Sequence, residues 1–247
     1  MIYGKLPVVL LSTLASKDPG STNSVIARHI LSHPDHVATL GIKDLANECN
    51  VGIGSISRFC KEIGLADFLE LKTLLSQQNF VYETTVNRPS RIAKAITLAS
   101  QTVNKKKILR LCKDIQRYDK VYAYGLLKAA TAAVSLQADL LMLGKYIETS
   151  IPYASQLDHI LHARQDELII IFSYTGSYFD YHSFRGKEKN LMLPKIYMVT
   201  GSPTPMPAFV DETIRFQSPQ DQASHPYQLI LIASLIAEEY AAISDAV

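Results

Sequence analysis

Five consecutive apolar residues, Leu168-Ile169-Ile170-Ile171-Phe172, constrain the architecture of this chain more than any other stretch. A strand with one face in water alternates apolar and polar residues, whereas a strand that is apolar at every position has both faces covered. The surrounding sequence supplies the cover. From Lys120 onward, short β-rich runs alternate with helical segments. The expected strands are residues 121–124, 146–148, 168–172, 195–199 and, at an edge, 212–216. A helix is expected from just past Gly125 to Leu143, another after Pro152, and a last one over residues 226–243. Such alternation predicts an α/β domain, a three-layer αβα sandwich around a five-stranded parallel sheet.

The first third of the chain has a different period. Residues 42–64 read IKDLANECNVGIGSISRFCKEIG. Ile42, Leu45, Ala46 and Cys49 recur at i, i+3, i+4 and i+7, one face of an α-helix, and Ile56, Phe59, Cys60 and Ile63 repeat that spacing. Val51 sits where a tight Gly-containing turn tucks an apolar side chain under both helices. The outer face of the second helix carries Ser55, Ser57, Arg58, Lys61 and Glu62. A helix, a turn and a second helix with a small, cationic outer face is how a protein enters a DNA major groove. Helix pairs of this kind also occur in all-α domains that never meet DNA, so the flanks matter. Before the pair, Val25, Ile26, Ala27, Ile30 and Leu31 form an apolar stripe that Ser24 is placed to cap, and His33-Pro34 ends it. After the pair, Phe68, Leu69, Leu71, Lys72 and Leu75 mark a further helix. The result is a helical domain with a helix-turn-helix inside it.

The run IARHILSHPDHVATLGIKDLANECNVGIGSISRFCKEIGLADFLELKTLL resembles the N-terminal domain of the RpiR family of bacterial transcriptional regulators. The family pattern is roughly "IA..I..HP..V..L.I..LA....VS..TI.RFCK.LG..GF.ELK..L". The matches include Ile26, Ala27, His33, Pro34, Leu45, Ala46, Val51, Ile56, Arg58, Phe59, Cys60, Lys61, Gly64, Phe68, Glu70, Leu71 and Lys72. The resemblance implies double-stranded operator DNA as partner. Its candidate contacts are Ile53, Ser55, Ser57, Arg58 and Lys61 on the second helix, with Lys43 and Lys72 on the backbone. Gly52, Gly54 and Ser55 depart from the family's Ser and Thr at the turn. Gly52 is a less specific N-cap than Ser, and Gly54 lowers helix stability by up to about 1 kcal/mol relative to Ala.

Composition narrows the remaining choices. The chain has 247 residues, 47% of them apolar, enough for two packed domains. It has no uninterrupted apolar stretch of membrane-spanning length, about 18 residues, so no membrane partner is expected. The short apolar run 6–14 has only Lys5 before it and reads as a first helix packed on the DNA-binding core or on a partner, in preference to a leader. Three cysteines, Cys49, Cys60 and Cys112, read as buried thiols in a reducing cytoplasm, not as disulfides or metal ligands. Net charge is +2, unevenly placed: residues 81–120 carry ten Lys/Arg against three Asp/Glu. That segment either contacts phosphates or pairs with acidic surface elsewhere on the chain. The expected domains are 1–80, helical and DNA-binding; 81–119, a basic helical linker; and 120–247, the α/β domain, with Asn87-Arg88-Pro89-Ser90 at the boundary.

Ligands of parallel α/β sheets sit at the carboxyl ends of the strands. After Phe172 comes Ser173-Tyr174-Thr175-Gly176-Ser177, hydroxyls around a glycine, a composition suited to phosphate. This loop resembles the phosphate loop of the SIS (sugar isomerase) domain, roughly "IS.SG.T", which RpiR regulators carry after their DNA-binding part; Thr200-Gly201 also fits. The resemblance implies a sugar-phosphate effector near Gly125, Lys128, Ser173, Thr175, Gly176, Ser177 and His225, and a homodimer or homotetramer. Two departures stand out. The family's Gly-x-Gly-x-Ser after the first strand is here Gly125-Leu126-Leu127-Lys128-Ala129, and the final Thr of the second loop is Tyr178, followed by Phe179, Tyr181, His182 and Phe184. A weakened phosphosugar site, a different anion, or no ligand are the readings, in that order. An active isomerase is the competing class. It needs a general base beside the sugar, for which Glu148, His159, His182 and His225 are candidates, none within an acid/base constellation. No catalytic residue, metal or cofactor is assigned. The expected function is a cytoplasmic DNA-binding regulator of sugar or amino-sugar genes, the alternatives being an isomerase with a helical appendage or a regulator whose SIS domain only dimerises.

Overall fold

The computed structural model describes residues 5–76, 89–180, 194–219 and 223–244. The described residues of the N-terminal domain form α1 (Lys5–Ser16), α2 (Thr22–Ser32), α3 (Pro34–Thr39), α4 (Ile42–Glu48), α5 (Ile53–Glu62) and α6 (Phe68–Ser76). Their core joins Leu6, Val9 and Leu10 of α1 to Ile26, Ile30, Leu45, Ile56, Phe59 and Leu71. The run at 6–14 is therefore a first helix seated on this domain. Ser24 does not cap α2. It lies fully buried inside the helix, and Ser21 three residues earlier caps instead, its hydroxyl accepting the Ser24 amide at 3.3 Å. The short helix α3 follows at once, because Pro34, which cannot continue α2, is well suited to a first helical position.

The chain turns between α4 and α5 on Asn50, at φ +52°, not on a glycine. The Val51 amide donates to the Ala46 carbonyl at 2.9 Å and the Asn50 amide to the Asn47 carbonyl at 3.0 Å. These two bonds close α4 in a Schellman motif. The end of α5 repeats it: Gly64 sits at φ +85°, Leu65 N–H donates to Cys60 C=O at 2.8 Å and Gly64 N–H to Lys61 C=O at 3.0 Å. Gly52 is the N-cap of α5, without a side-chain cap.

The second domain contains β1 (Lys120–Gly125), a 3-10 turn (Leu127–Ala129), α9 (Ala130–Met142), β2 (Glu148–Thr149), α10 (Tyr153–His162), β3 (Glu167–Phe172), β4 (Lys195–Thr200), β5 (Glu212–Arg215) and α11 (His225–Ser244). The helices before it are α7 (Pro89–Thr102) and α8 (Lys105–Arg117). Among the described residues the sheet has five strands, all parallel, in the order β2-β1-β3-β4-β5. Every residue of β3 is buried. Leu168, Ile170 and Phe172 pack with Val121, Ala123 and the helices α8, α9 and α11 on one face. Ile169 and Ile171 pack with Tyr124 and with Tyr153, Leu157 and Ile160 of α10 on the other. The second strand pairs at Glu148 and Thr149, one to two residues later than its sequence suggests, because Ile147 turns into the core.

Residues 81–119 differ from a free linker where they are described. Ala99, Val103, Ile108, Leu111, Cys112 and Ile115 share one core with the sheet and α11. Helix α11 has the length and hydropathy of a membrane span, yet Leu229, Ile232, Ala233 and Ile236 face that core and buried Gln228 donates to Ala95 C=O at 2.8 Å.

Candidate nucleic-acid interface and ligand loop

Helix α5 has two unlike sides. Ile56, Phe59 and Cys60 have no exposed surface, while Ile53, Gly54, Arg58 and Lys61 are exposed and Ser55 and Ser57 half-buried. Among the described residues neither Arg58 nor Lys61 makes an ion pair, so both guanidinium and ammonium are available to a partner. Lys43 is exposed on α4 and Lys72 half-buried on α6. Burial pushes the Cys60 thiol up to about 11 and raises that of Cys49, in line with structural thiols.

A carboxylate clamp fixes the pair from behind, and the sequence reading does not contain it. Glu48, at the end of α4, accepts from His36 Nε2 of α3 at 2.9 Å and from His29 Nε2 of α2 at 2.8 Å. The His36 hydrogen bond is the main reason its carboxyl lies below the usual carboxylate range. At the other end of α5, Glu62 accepts from Asn23 Nδ2 at 2.5 Å.

The described part of the basic segment, helices α7 and α8, lies elsewhere. Helix α8 packs on α11, and Lys107 pairs with Glu212 of β5 at 3.0 Å, with Arg110 on the same carboxylate. Lys120 pairs with Glu167 at 3.7 Å, and buried Asp114 takes Lys195 at 2.7 Å. Helix α1 touches α10 on the opposite face of the sheet. Of the two readings of this segment, pairing with acidic surface is the one these contacts match. Lys105, Lys106, Lys113 and Arg117 remain exposed.

At the carboxyl end of β3 the hydroxyl loop folds on itself. Ser173 N–H donates to Val199 C=O at 3.0 Å, and Gly176 N–H to Ser173 C=O at 3.0 Å, with Gly176 at φ +72°. The Thr175 and Ser177 hydroxyls bond each other at 2.6 Å. A Cβ on Gly176 would lie 2.6 Å from Met206 Cε, so Met206 leans over the turn. Thr200 donates to Tyr174 C=O at 3.1 Å, and the Tyr174 ring stacks on His225 at the start of α11, centroids 4.8 Å apart. Arg215 donates to the Ser202 and Thr204 carbonyls beside this loop.

The facing loop keeps its backbone while changing its side chains. Leu127, which replaces the second glycine of the family pattern, adopts φ +50°, a conformation that glycine favours. Gly125 is still required: a Cβ there would meet the Ala129 carbonyl at 2.6 Å. Tyr178, in place of the usual Thr, is buried and donates its hydroxyl to Gln156 Oε1 at 2.8 Å. Gln156, itself fully buried, donates to Gly125 C=O at 3.0 Å and Ile151 C=O at 3.2 Å. Tyr178, Phe179, Leu126 and Met206 thus belong to one apolar cluster on this side of the sheet.

Comparison with known proteins decides the first half. The description "Helix-turn-helix domain, rpiR family" matches residues 11–80. The chain carries an rpiR-family helix-turn-helix domain. A helix-turn-helix-type transcriptional regulator of Caldanaerobacter subterraneus subsp. tengcongensis is 25% identical over 173 residues, 62% of this chain and 59% of the relative. The chain therefore spans about three-fifths of that relative's length. Among solved structures, the Vibrio vulnificus NanR protein complexed with ManNAc-6P is similar over 98% of this chain and 93% of its own, with a TM-score of 0.52 at 15% identity. The sugar isomerase domain of an RpiR transcription factor from Sphaerobacter thermophilus is similar over 64% of this chain and 89% of its own, with a TM-score of 0.51 at 20% identity. At these identities the likeness is one of fold: the second domain has the sugar isomerase fold.

In the rpiR-type domain, the positions expected to meet DNA fall together on the exposed side of α5, with Lys43 and Lys72 on neighbouring helices. In the sugar isomerase fold, Ser173, Thr175, Gly176 and Ser177 form one turn with His225 behind it through Tyr174. Lys128 follows β1 in the 3-10 turn Leu127–Ala129. It lines a cleft of about 400 Å³ with Thr131, Pro226, Tyr227 and Ile230. The described candidate bases sit on different elements, β2, α10 and α11. Glu148 is exposed on β2. His159 bridges Tyr124 at 2.9 Å and Glu167 at 3.1 Å, and Glu167 opens β3 at the end of the sheet away from the loops. His182, Tyr181 and Phe184 lie outside the described residues, as do Asn87 and Arg88. Around the ligand loop, the residues that sequence reading missed are Gln156, Met206 and Arg215, none of which carries a motif.

Proposed function

We propose that this protein is a DNA-binding transcriptional regulator of sugar or amino-sugar metabolism genes, acting in the cytoplasm as a homodimer or homotetramer without a membrane partner. The observation that carries the proposal is that Arg58 and Lys61 are exposed, and make no ion pair among the described residues, on an otherwise well-anchored α5 of rpiR type. Two such helices on a two-fold axis fit the half-sites of a pseudo-palindromic operator. The effector is a sugar phosphate held at Ser173, Thr175 and Ser177, with Gly176 allowing the backbone to approach and His225 behind; the NanR structure holding ManNAc-6P supports this assignment by likeness of fold. A second reading, a sugar isomerase domain that only dimerises, is favoured by one observation: Tyr178 and Met206 already fill the space against the loop. The isomerase reading has less support, because the described candidate bases do not converge on it.

Fluorescence anisotropy with double-stranded DNA from upstream of sugar-utilisation operons tests the central assignment. Sequence-selective binding, competed poorly by random DNA, is expected; equal binding to both refutes it. A thermal-shift screen with hexose and amino-sugar phosphates separates the two readings of the second domain, and ketose–aldose conversion of the same compounds would revive the enzyme.

A further inference from the structure

Helix α10 lacks a cap of its own. Pro152 stands at its N-cap without a side-chain hydrogen bond, and the first-turn amides of a helix have no partner within the helix. The other domain supplies one: the Tyr153 amide donates to Ser12 Oγ of α1 at 2.6 Å, with both residues buried. The same turn is tied to the hydroxyl loop on its far side. The Tyr153 hydroxyl donates to Tyr178 C=O at 2.8 Å, and the two rings meet edge-to-face at 5.5 Å. One turn later, Gln156 accepts the Tyr178 hydroxyl and holds the end of β1 through Gly125.

We infer that the first turn of α10 is the relay between the 173–178 loop and the DNA-binding domain, with Ser12 and Tyr178 as its two positioning residues. The joint is latched on one side and open on the other. A cavity of about 220 Å³ lies between α1, the end of α5 and α10, lined by Val9, Ser12, Glu62, Ile63, Leu157 and Asp158. Movement of α10 into that space displaces the C-terminal end of the recognition helix. A ligand that reshapes the turn at Gly176 shifts Tyr178, and Tyr178 moves the α10 turn through two hydrogen bonds. Such a ligand biases the domain arrangement by the difference in its affinity for the two arrangements. The inference rests on the reading of residues 173–177 as the effector loop.

Hydrogen exchange on the full chain tests the relay without operator or effector. Tyr178→Phe removes the bond to Gln156 and is expected to speed exchange of the peptide over residues 5–16 roughly tenfold, as for loss of one hydrogen bond at the joint. Ile160→Val, in the same helix and core but outside the first turn, is expected to leave that peptide unchanged. Ser12→Ala is expected to reproduce the effect, and Ser12→Thr, which keeps the hydroxyl, to restore slow exchange. The relay is overturned if Tyr178→Phe leaves residues 5–16 unchanged, or if Ile160→Val opens them equally. Adding N-acetylmannosamine 6-phosphate separates this outcome from that of the effector reading. A sugar phosphate that fails to alter exchange at 173–178 sinks the effector assignment, while the response to Tyr178→Phe still decides the relay.

Discussion

A single substitution type, Gly→Ala, is predicted to change sign along this chain, and the structure sets each sign. Gly54 lies in the first turn of α5 at negative φ, and a Cβ there meets no atom within 4 Å. Replacing it removes the entropy that glycine gives the unfolded chain, so Gly54→Ala stabilises the helical domain by about 0.5–1 kcal/mol. For a domain of this size that raises its melting temperature by roughly 2–8 °C. Gly125→Ala pushes a methyl to 2.6 Å from backbone atoms of Ala129 and cannot be relieved by a side chain turning aside. It is expected to destabilise by about 1–3 kcal/mol, the range of overpacking. Gly176→Ala adds strain at φ +72° and a 2.6 Å approach to Met206 Cε, the movable end of a side chain, so its loss is smaller, about 1–2 kcal/mol from the backbone alone. Thermal and guanidinium unfolding followed by circular dichroism measure all three, with hydrogen exchange assigning each change to its domain. A destabilised Gly54→Ala would show that α5 does not start as described. A neutral Gly125→Ala would show that the 3-10 turn does not rest on the end of β1.

Further outcomes follow from the same geometry. Asn50→Val, placing a β-branched residue at φ +52°, lowers the stability of the helix pair by about 1–2 kcal/mol, seen as an earlier thermal transition; an unchanged transition contradicts the left-handed turn. Because the Glu48 carboxyl is depressed in the folded state, its contribution is present above its unfolded value and lost as pH falls through the lower folded one. Wild type is therefore expected to lose helical-domain stability more steeply than Glu48→Gln below about pH 4.5, and parallel pH profiles would remove the clamp from the account. Burial raises the Cys60 and Cys112 thiols to about 11 and about 12, so a maleimide at pH 7.5 labels neither until denaturant is added; fast labelling of the native chain would show that these helices open.

Much of this architecture is legible without coordinates where burial is symmetric or periodic. β3 is visible because both of its faces are covered, and α5 because its apolar face keeps helical spacing over Ile56, Phe59, Cys60 and Ile63. Readability fails where two local solutions are equally good. Ser21 and Ser24 both offer a capping hydroxyl, and Pro34 reads as a stop although it also starts α3. Charge is legible as a count but not as a direction, which is why the sequence left the basic segment open between phosphates and acidic surface, whereas in the fold Lys107 and Arg110 pair with Glu212 and Lys120 with Glu167. The ligand loop shows the same limit. The change to Tyr178 is plain in the sequence, whereas its partner Gln156 lies 22 residues earlier and is brought to it only by the packing of α10 against the sheet.

The central claim is that α5 reads DNA through its exposed cationic side. Arg58→Ala removes an exposed side chain from that side, while Phe59 and Ile56 keep the fold intact beneath it. Binding of the full chain to its selected operator, measured at fixed salt, is expected to weaken by about 1–3 kcal/mol, the cost of losing one base-edge contact, with the melting temperature unchanged. Operator affinity equal to that of wild type, with folding intact, would contradict the assignment of α5 as the reading helix.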